Sequence, residues 1–199
     1  AIRQYTGVPP KWIQYIYEKY GIYTMLNYSF GRYGLNVDGK WIANTEYSDS
    51  KTEALLLAES TAMVKEYKNT PGVLLFLLGN ENNYGLFWGG AETEDIPIKD
   101  RKSTMRAEAM YKVFNKAVVA MKAIDTTHPM AICNGDLLFI DLIAKECKDI
   151  DILGVNMYRG VTFTDAFEVV KKELNKPMLL TEFGSDAFNA IENQEDQKS

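Results

Sequence analysis

The run "VLLFLL" at Val73–Leu78 constrains this chain more than any other stretch. Six apolar residues without alternation are short and have no solvent-facing side. They read as a strand buried on both faces, the kind found in a parallel sheet flanked by helices. The rest of the chain repeats that logic. Pro10 suits the first turn of a helix, Ile13, Ile16, Tyr17 and Tyr20 form one stripe, and Gly21 stops it. "IYTMLNYS" follows as a strand, then a polar loop from Phe30 to Ser50. A helix from about Lys51 carries Leu56, Met63 and Tyr67 on one face, and "VLLFLL" comes after it. Beyond a loop from Gly79 to Asp100, the longest helix runs from about Thr104 to Ile124, with Met110, Phe114, Ala117, Met121 and Ile124 in a stripe. "PMAICNG", "IDILGVNMY" and "KPMLLTEFG" are further strands. Between them lie a helix over "LLFIDLIAKE" and one capped by Thr164 that buries Phe167, Val170 and Leu174. Strands separated by helices of this length mean βαβ units and an α/β fold with a parallel sheet.

The chain of 199 residues, 46% hydrophobic, supports one sizeable core and one domain, with no repeat and no linker. Lys and Arg number 22 against 27 Asp and Glu, a net charge of −5 without a basic cluster, which argues against nucleic acid as a partner. Cys133 and Cys147 give no disulfide framework, and Cys133 in an apolar strand reads as packing. No apolar run approaches the roughly 20 residues of a membrane span. No signal peptide is visible, an absence that means little if the chain is a fragment, and the compartment stays open with periplasmic or secreted slightly favoured over cytoplasmic.

The polar residues fall at one place. Arg3 follows the first short apolar run, and Asn27 and Tyr28 follow "TML". Asn80 and Glu81 follow "LLFLLG", Asn134 follows "AIC", Asn156 and Tyr158 close "LGV", and Glu182 follows "MLLT". The C-terminal edge of a parallel sheet is where such folds hold their sites. A single strand-end glutamate is commonly a salt bridge or a helix N-terminus. Two at one mouth suit glycosidic bond cleavage, in which one carboxylic acid protonates the leaving oxygen and an ionised partner attacks the anomeric carbon. Burial or a second carboxylate raises the first group's pKa, and a neighbouring cation lowers the second's. Arg3 is the candidate cation and Tyr158 a candidate hydroxyl donor.

"GNE" after an apolar strand, then "VNMY", then "KPMLLTEFG" resembles the catalytic (β/α)8 TIM barrel of glycoside hydrolase family 2. That family includes β-galactosidases, β-glucuronidases and β-mannosidases. The opening "AIRQYTGVPPKWIQYIYEKYGI" is similar to its second strand and helix, so the resemblance spans nearly the whole chain. It implies a single catalytic domain over 1–199 holding about the second to seventh βα units. The first and eighth units, and the family's β-sandwich domains, are expected outside it. It also implies roles. Glu81 matches the general acid/base, Asn80 the ligand of the sugar 2-hydroxyl, and Glu182 the nucleophile. Tyr158 matches the tyrosine touching that nucleophile and Arg3 the arginine beneath it, with Asn156 in the same substrate-binding set. The expected partner is a carbohydrate cleaved at a terminal β-linkage with retention. Family members often keep histidines in the pocket, whereas the sole histidine here is His128, expected to be structural.

After Glu81 come Tyr84, Phe87 and Trp88, which either stack on sugar rings or pack the loop, and Trp88 is counted with the substrate-binding residues. Trp41 carries the same two readings with packing ahead, and Trp12 is expected in the core. The sequon "NYS" at Asn27 reads as coincidence, and Glu92, Glu94 and Asp95 as a solvated loop. One histidine and no HxH or HExxH argue against a zinc hydrolase, so no metal or cofactor is expected. No GxSxG or P-loop points to a serine esterase or an NTPase. The alternatives are a retaining glycosidase of a related barrel family and a non-catalytic carbohydrate-binding or scaffolding barrel.

Overall fold

The computed structural model of the protein describes residues 1–86, 103–160 and 162–184. Six strands form one sheet: β1 (Ile2–Tyr5), β2 (Thr24–Tyr28), β5 (Val73–Leu78), β6 (Met130–Gly135), β7 (Ile152–Met157) and β8 (Met178–Phe183). Their order in the sheet is their order in the chain, and every pairing is parallel. A doubly wound sheet reverses order at a switch point, and this one does not. Right-handed crossovers that never reverse place the crossover helices on the same face and leave the other face inward, which is part of a barrel wall.

Two sets of apolar side chains mark the two faces. Phe76, Leu78, Ile132, Leu153 and Val155 point outward, into one apolar cluster with Leu56 and Met63 of helix α2 (Ser50–Tyr67) and Met110, Phe114 and Met121 of helix α4 (Ser103–Lys122). Leu75, Leu77, Ala131 and Cys133 point inward, joined by Met25, Ile152 and Leu179. VLLFLL is therefore apolar throughout because both of its faces are covered, apart from Leu74 at its entrance.

Helix α1 (Pro10–Tyr20) begins at its proline and ends at Gly21, whose left-handed φ of +67° lets its N–H reach the Tyr17 carbonyl at 2.8 Å. The helix buries Ile13 alone, and Trp12, expected in the core, is 50% exposed. One residue from Ile13 is about 100° round the helix, enough to turn the indole from the sheet. Helix α2 starts one residue before its expected position, capped by the Asp49 carboxylate accepting from the Thr52 N–H at 2.8 Å.

Three segments depart from expectation. The polar loop contains a hairpin, β3 (Leu35–Val37) with β4 (Lys40–Ile42), turned by Asp38 and Gly39, both at positive φ. Trp41 on it is 61% exposed, its ring against Gly34. Helix α5 (Ile140–Glu146) starts late, because the Asn134 amide takes the Asp136 and Leu138 carbonyls at 2.9 and 3.1 Å and holds the approach as a turn. Helix α6 (Ala166–Glu173) is preceded by Asp165 with no side-chain cap. The Thr164 hydroxyl is taken by Arg159 Nη1 at 2.8 Å instead. Phe167 is 48% exposed, so Ala166 and Val170 carry the buried side of α6. No helix among the described residues is long and apolar enough to cross a membrane.

Candidate active site

The inward side chains at the C-terminal ends of the strands form one polar layer above Leu77 and Cys133. Arg3, 10% exposed at its side chain, is the hub. Its Nε donates to Asn27 Oδ1 at 2.7 Å, Nη1 to Glu182 Oε1 at 2.5 Å and Nη2 to Asn80 Oδ1 at 2.8 Å. Asn27 is fully buried and spends its amide nitrogen on the Leu77 and Gly79 carbonyls, so it is no glycosylation site. Tyr5 lies near Arg3, and burial pushes its phenol up to about 12 against the opposing pull of the Arg3 charge.

Glu182 owes its position to a backbone irregularity. Val155 pairs with Leu180 and Asn156 with Glu182, so Thr181 is an extra residue in β8. Strict alternation would turn Glu182 outward once Leu179 and Thr181 face in. The bulge returns it to the inner face, opposite inward-facing Asn156. There Tyr158 Oη donates to its Oε2 at 3.0 Å, so each carboxylate oxygen receives a donor. The Tyr158 phenol is raised by burial and then by this bond to the carboxylate, which keeps it protonated and donating.

Glu81 arrives differently. Gly79 leaves β5 at φ +82°, where an added Cβ would lie 2.8 Å from both the Phe114 ring and Asn82 Oδ1. Glu81 itself holds a left-handed φ of +58°, an uncommon state for this residue that turns the chain sharply into the single helical turn α3 (Asn82–Gly85). The Glu81 N–H bonds the Cys133 carbonyl at 3.1 Å, and its Oε1 accepts from Asn156 Nδ2 at 3.1 Å. That nitrogen also reaches Asn80 Oδ1 at 3.1 Å. A continuous path of hydrogen bonds thus runs from Glu81 through Asn156, Asn80 and Arg3 to Glu182.

The other carboxamides of GNENN are clips. Asn82 accepts from the Asn80 N–H at 2.8 Å and donates to the Phe30 carbonyl at 2.9 Å. Asn83 exchanges both bonds with the Gly135 backbone, at 2.7 and 2.8 Å. Tyr84 packs its ring on Gly135. Asn134 faces outward and accepts from Tyr111 Oη at 2.6 Å, away from the site. Of the residues expected at the site, Arg3, Asn80, Glu81, Asn156, Tyr158 and Glu182 meet here, whereas Phe87, Trp88, Glu92, Glu94 and Asp95 lie outside the described residues. Sequence reasoning missed Thr181, Cys133 and Tyr33. Tyr33 accepts from Asn80 Nδ2 at 2.7 Å from the loop after β2. The signal for Thr181 was the Thr-Glu pair itself, two polar residues side by side where a strand should alternate. His128 sits at the far edge, its Nδ1 2.6 Å from Asp125 Oδ2. Among the described residues no group of three His, Cys, Asp or Glu side chains could hold a metal.

Residues 8–198 match the family model of glycosyl hydrolases family 2, TIM barrel domain. The chain belongs to that family. Five of its six parallel strands, β2 to β8 of the large sheet, lie within the matched barrel domain, and β1 with Arg3 lies just ahead of it. Among solved structures, a β-D-glucuronidase of Dictyoglomus thermophilum aligns with a TM-score of 0.58 at 19% identity, covering 100% of this chain and 33% of that one. β-Glucuronidase 2 of Bacteroides uniformis, covalently bound to a cyclophellitol-6-carboxylate aziridine, aligns at 0.63 and 15%, covering 94% and 21%. An exo-β-agarase aligns at 0.54 and 16%, covering 85% and 31%. At these identities the likeness establishes the fold, and this family 2 chain spans a third or less of each partner. No curated protein matches it.

Proposed function

We propose that this chain is the catalytic part of a retaining glycoside hydrolase that removes a terminal β-linked sugar by double displacement. On this proposal the six strands are the second to seventh of an eight-stranded barrel, in one catalytic domain of a larger protein. One observation carries it: Glu182 receives the Arg3 guanidinium on one oxygen and the Tyr158 hydroxyl on the other, while Glu81 is tied to the same guanidinium through two amides. Two carboxyl groups with such different partners suit the two roles of that mechanism, acid and nucleophile.

The steps follow from those partners. A Glu182 oxygen attacks the anomeric carbon as the Glu81 carboxylic acid gives its proton to the departing glycosidic oxygen. The aglycone leaves as an alcohol and the sugar remains as an ester on Glu182. The Glu81 carboxylate then takes a proton from water, whose oxygen attacks the anomeric carbon and frees Glu182. The Asn80 amide spends one N–H on Tyr33, which leaves the other for the sugar 2-hydroxyl. Arg3 and Tyr158 hold the nucleophile in place, and Tyr158 also faces the sugar. Retaining enzymes hold their two carboxyl groups about 5–5.5 Å apart.

The test is a panel of chromogenic β-galactosides, β-glucuronides and β-mannosides on the full-length protein, with Glu182→Ala as the variant. Loss of turnover restored by azide, with an inverted glycosyl azide as product, marks a nucleophile. Unchanged rates in Glu182→Ala would remove the assignment.

A further inference from the structure

The orientation of a buried side-chain amide follows from what its neighbours can give or take. Arg3 can only donate, so the Asn80 atom 2.8 Å from its Nη2 is the carbonyl oxygen. That oxygen can only accept, so the Asn156 atom 3.1 Å from it is the amide nitrogen. The same nitrogen reaches Glu81 Oε1 at 3.1 Å. Asn156 Oδ1 is then turned towards β6 and β8, where the Thr181 hydroxyl donates to it at 2.7 Å and the Cys133 thiol at 3.2 Å. Both N–H bonds and both acceptor directions of Asn156 are engaged within the protein, and the residue is 2% exposed. It has nothing left to offer a sugar.

We propose that Asn156 is a positioning residue that aims Glu81 and Asn80, and that the Thr181 hydroxyl fixes its orientation. This rests on the glycosidase reading above. The bulge in β8 supplies the geometry, because it turns Thr181 and Glu182 to the same side in succession. The strand carrying the nucleophile thereby also sets the amide that holds the acid. Thr181→Val keeps the branched shape and removes the donor. Asn156 Oδ1 would then be left with the thiol, a weak donor, and its amide would no longer be pinned.

The consequence is specific to one chemical role. Acid assistance matters most when the leaving group is basic, so a misplaced acid penalises poor leaving groups more than good ones. A general loss of packing would lower both alike. The experiment compares kcat/KM for 2,4-dinitrophenyl and phenyl glycosides of the sugar turned over by the full-length protein. Thr181→Val is expected to raise the dinitrophenyl-to-phenyl ratio by about tenfold, through the phenyl substrate, and Thr181→Ser to keep the wild-type ratio. Glu81→Gln is the control and is expected to raise the ratio further. If Glu81→Gln raises it while Thr181→Val lowers both substrates equally, or Thr181→Ser behaves as Thr181→Val, the positioning role is overturned and the acid role stands. If Glu81→Gln leaves the ratio unchanged, the acid assignment fails and takes this inference with it. Should Thr181→Val not fold, Cys133→Ala removes the weaker donor and must move the ratio in the same direction by a smaller factor. No movement there would overturn the proposal.

Discussion

Arg3 serves Asn27, Asn80 and Glu182 with one planar group, and that geometry is not available to an ammonium. Arg3→Lys keeps the charge and loses the fork, so kcat/KM is expected to fall by about a hundredfold with the fold retained, read by steady-state kinetics beside circular dichroism. Tyr158→Phe removes a single donor from Glu182 and is expected to cost about tenfold. A pH effect belongs to a residue far from the site. Burial works against ionised Asp125, yet hydrogen bonds from Thr127 and His128 prevail and hold its carboxyl down at about 2. Because the folded value lies below the unfolded one, its contribution is complete above about pH 4 and is lost as pH falls towards 2. Asp125→Ala should therefore melt below the wild type at neutral pH, and the gap in Tm should close between those values. A gap constant across that range would contradict the assignment.

At the level of elements, Asn83 joins the Glu81 turn to the end of β6 by pairing both backbone groups of Gly135, with the side chain wholly buried. Asn83→Ala strands both groups and is expected to destabilise the fold by about 2 kcal/mol, measured by urea unfolding. The strands and long helices were legible because burial imposes a period: VLLFLL could only be covered twice, and Leu56, Met63 and Tyr67 could only share a face. The hairpin was read as loop: Asp38-Gly39 marks its turn, but its strands are short and Trp41 stays exposed, so no apolar stripe announced it. The site was legible as residue types at strand ends. What holds them was not. The bulge at Thr181 left only the adjacent Thr-Glu pair as its trace in the sequence, and the left-handed Glu81 is a backbone choice made by neighbours distant in sequence. Trp12 failed for a related reason, since apolar character alone does not say which side of α1 meets the sheet.

For the molecule as a whole, β1 and β8 each have one strand partner among the described residues. Between them the inward face opens at its base into an apolar cavity of about 470 Å³, with Met25, Leu75, Ile152 and Leu179 in its wall. An open apolar face invites association. The 199-residue chain by itself is expected to bind an apolar dye and to sediment as concentration-dependent oligomers. A monomer that binds no dye would contradict that expectation. The central claim is that Glu182 forms the covalent bond to the sugar while Glu81 serves as acid. It is tested most directly by incubating the full-length protein with an activated 2-deoxy-2-fluoro glycoside and mapping the adduct by peptide mass spectrometry. The account predicts one label, on the peptide carrying Glu182, accumulating as activity falls. A label on any other residue, or inactivation without an adduct on Glu182, would contradict it.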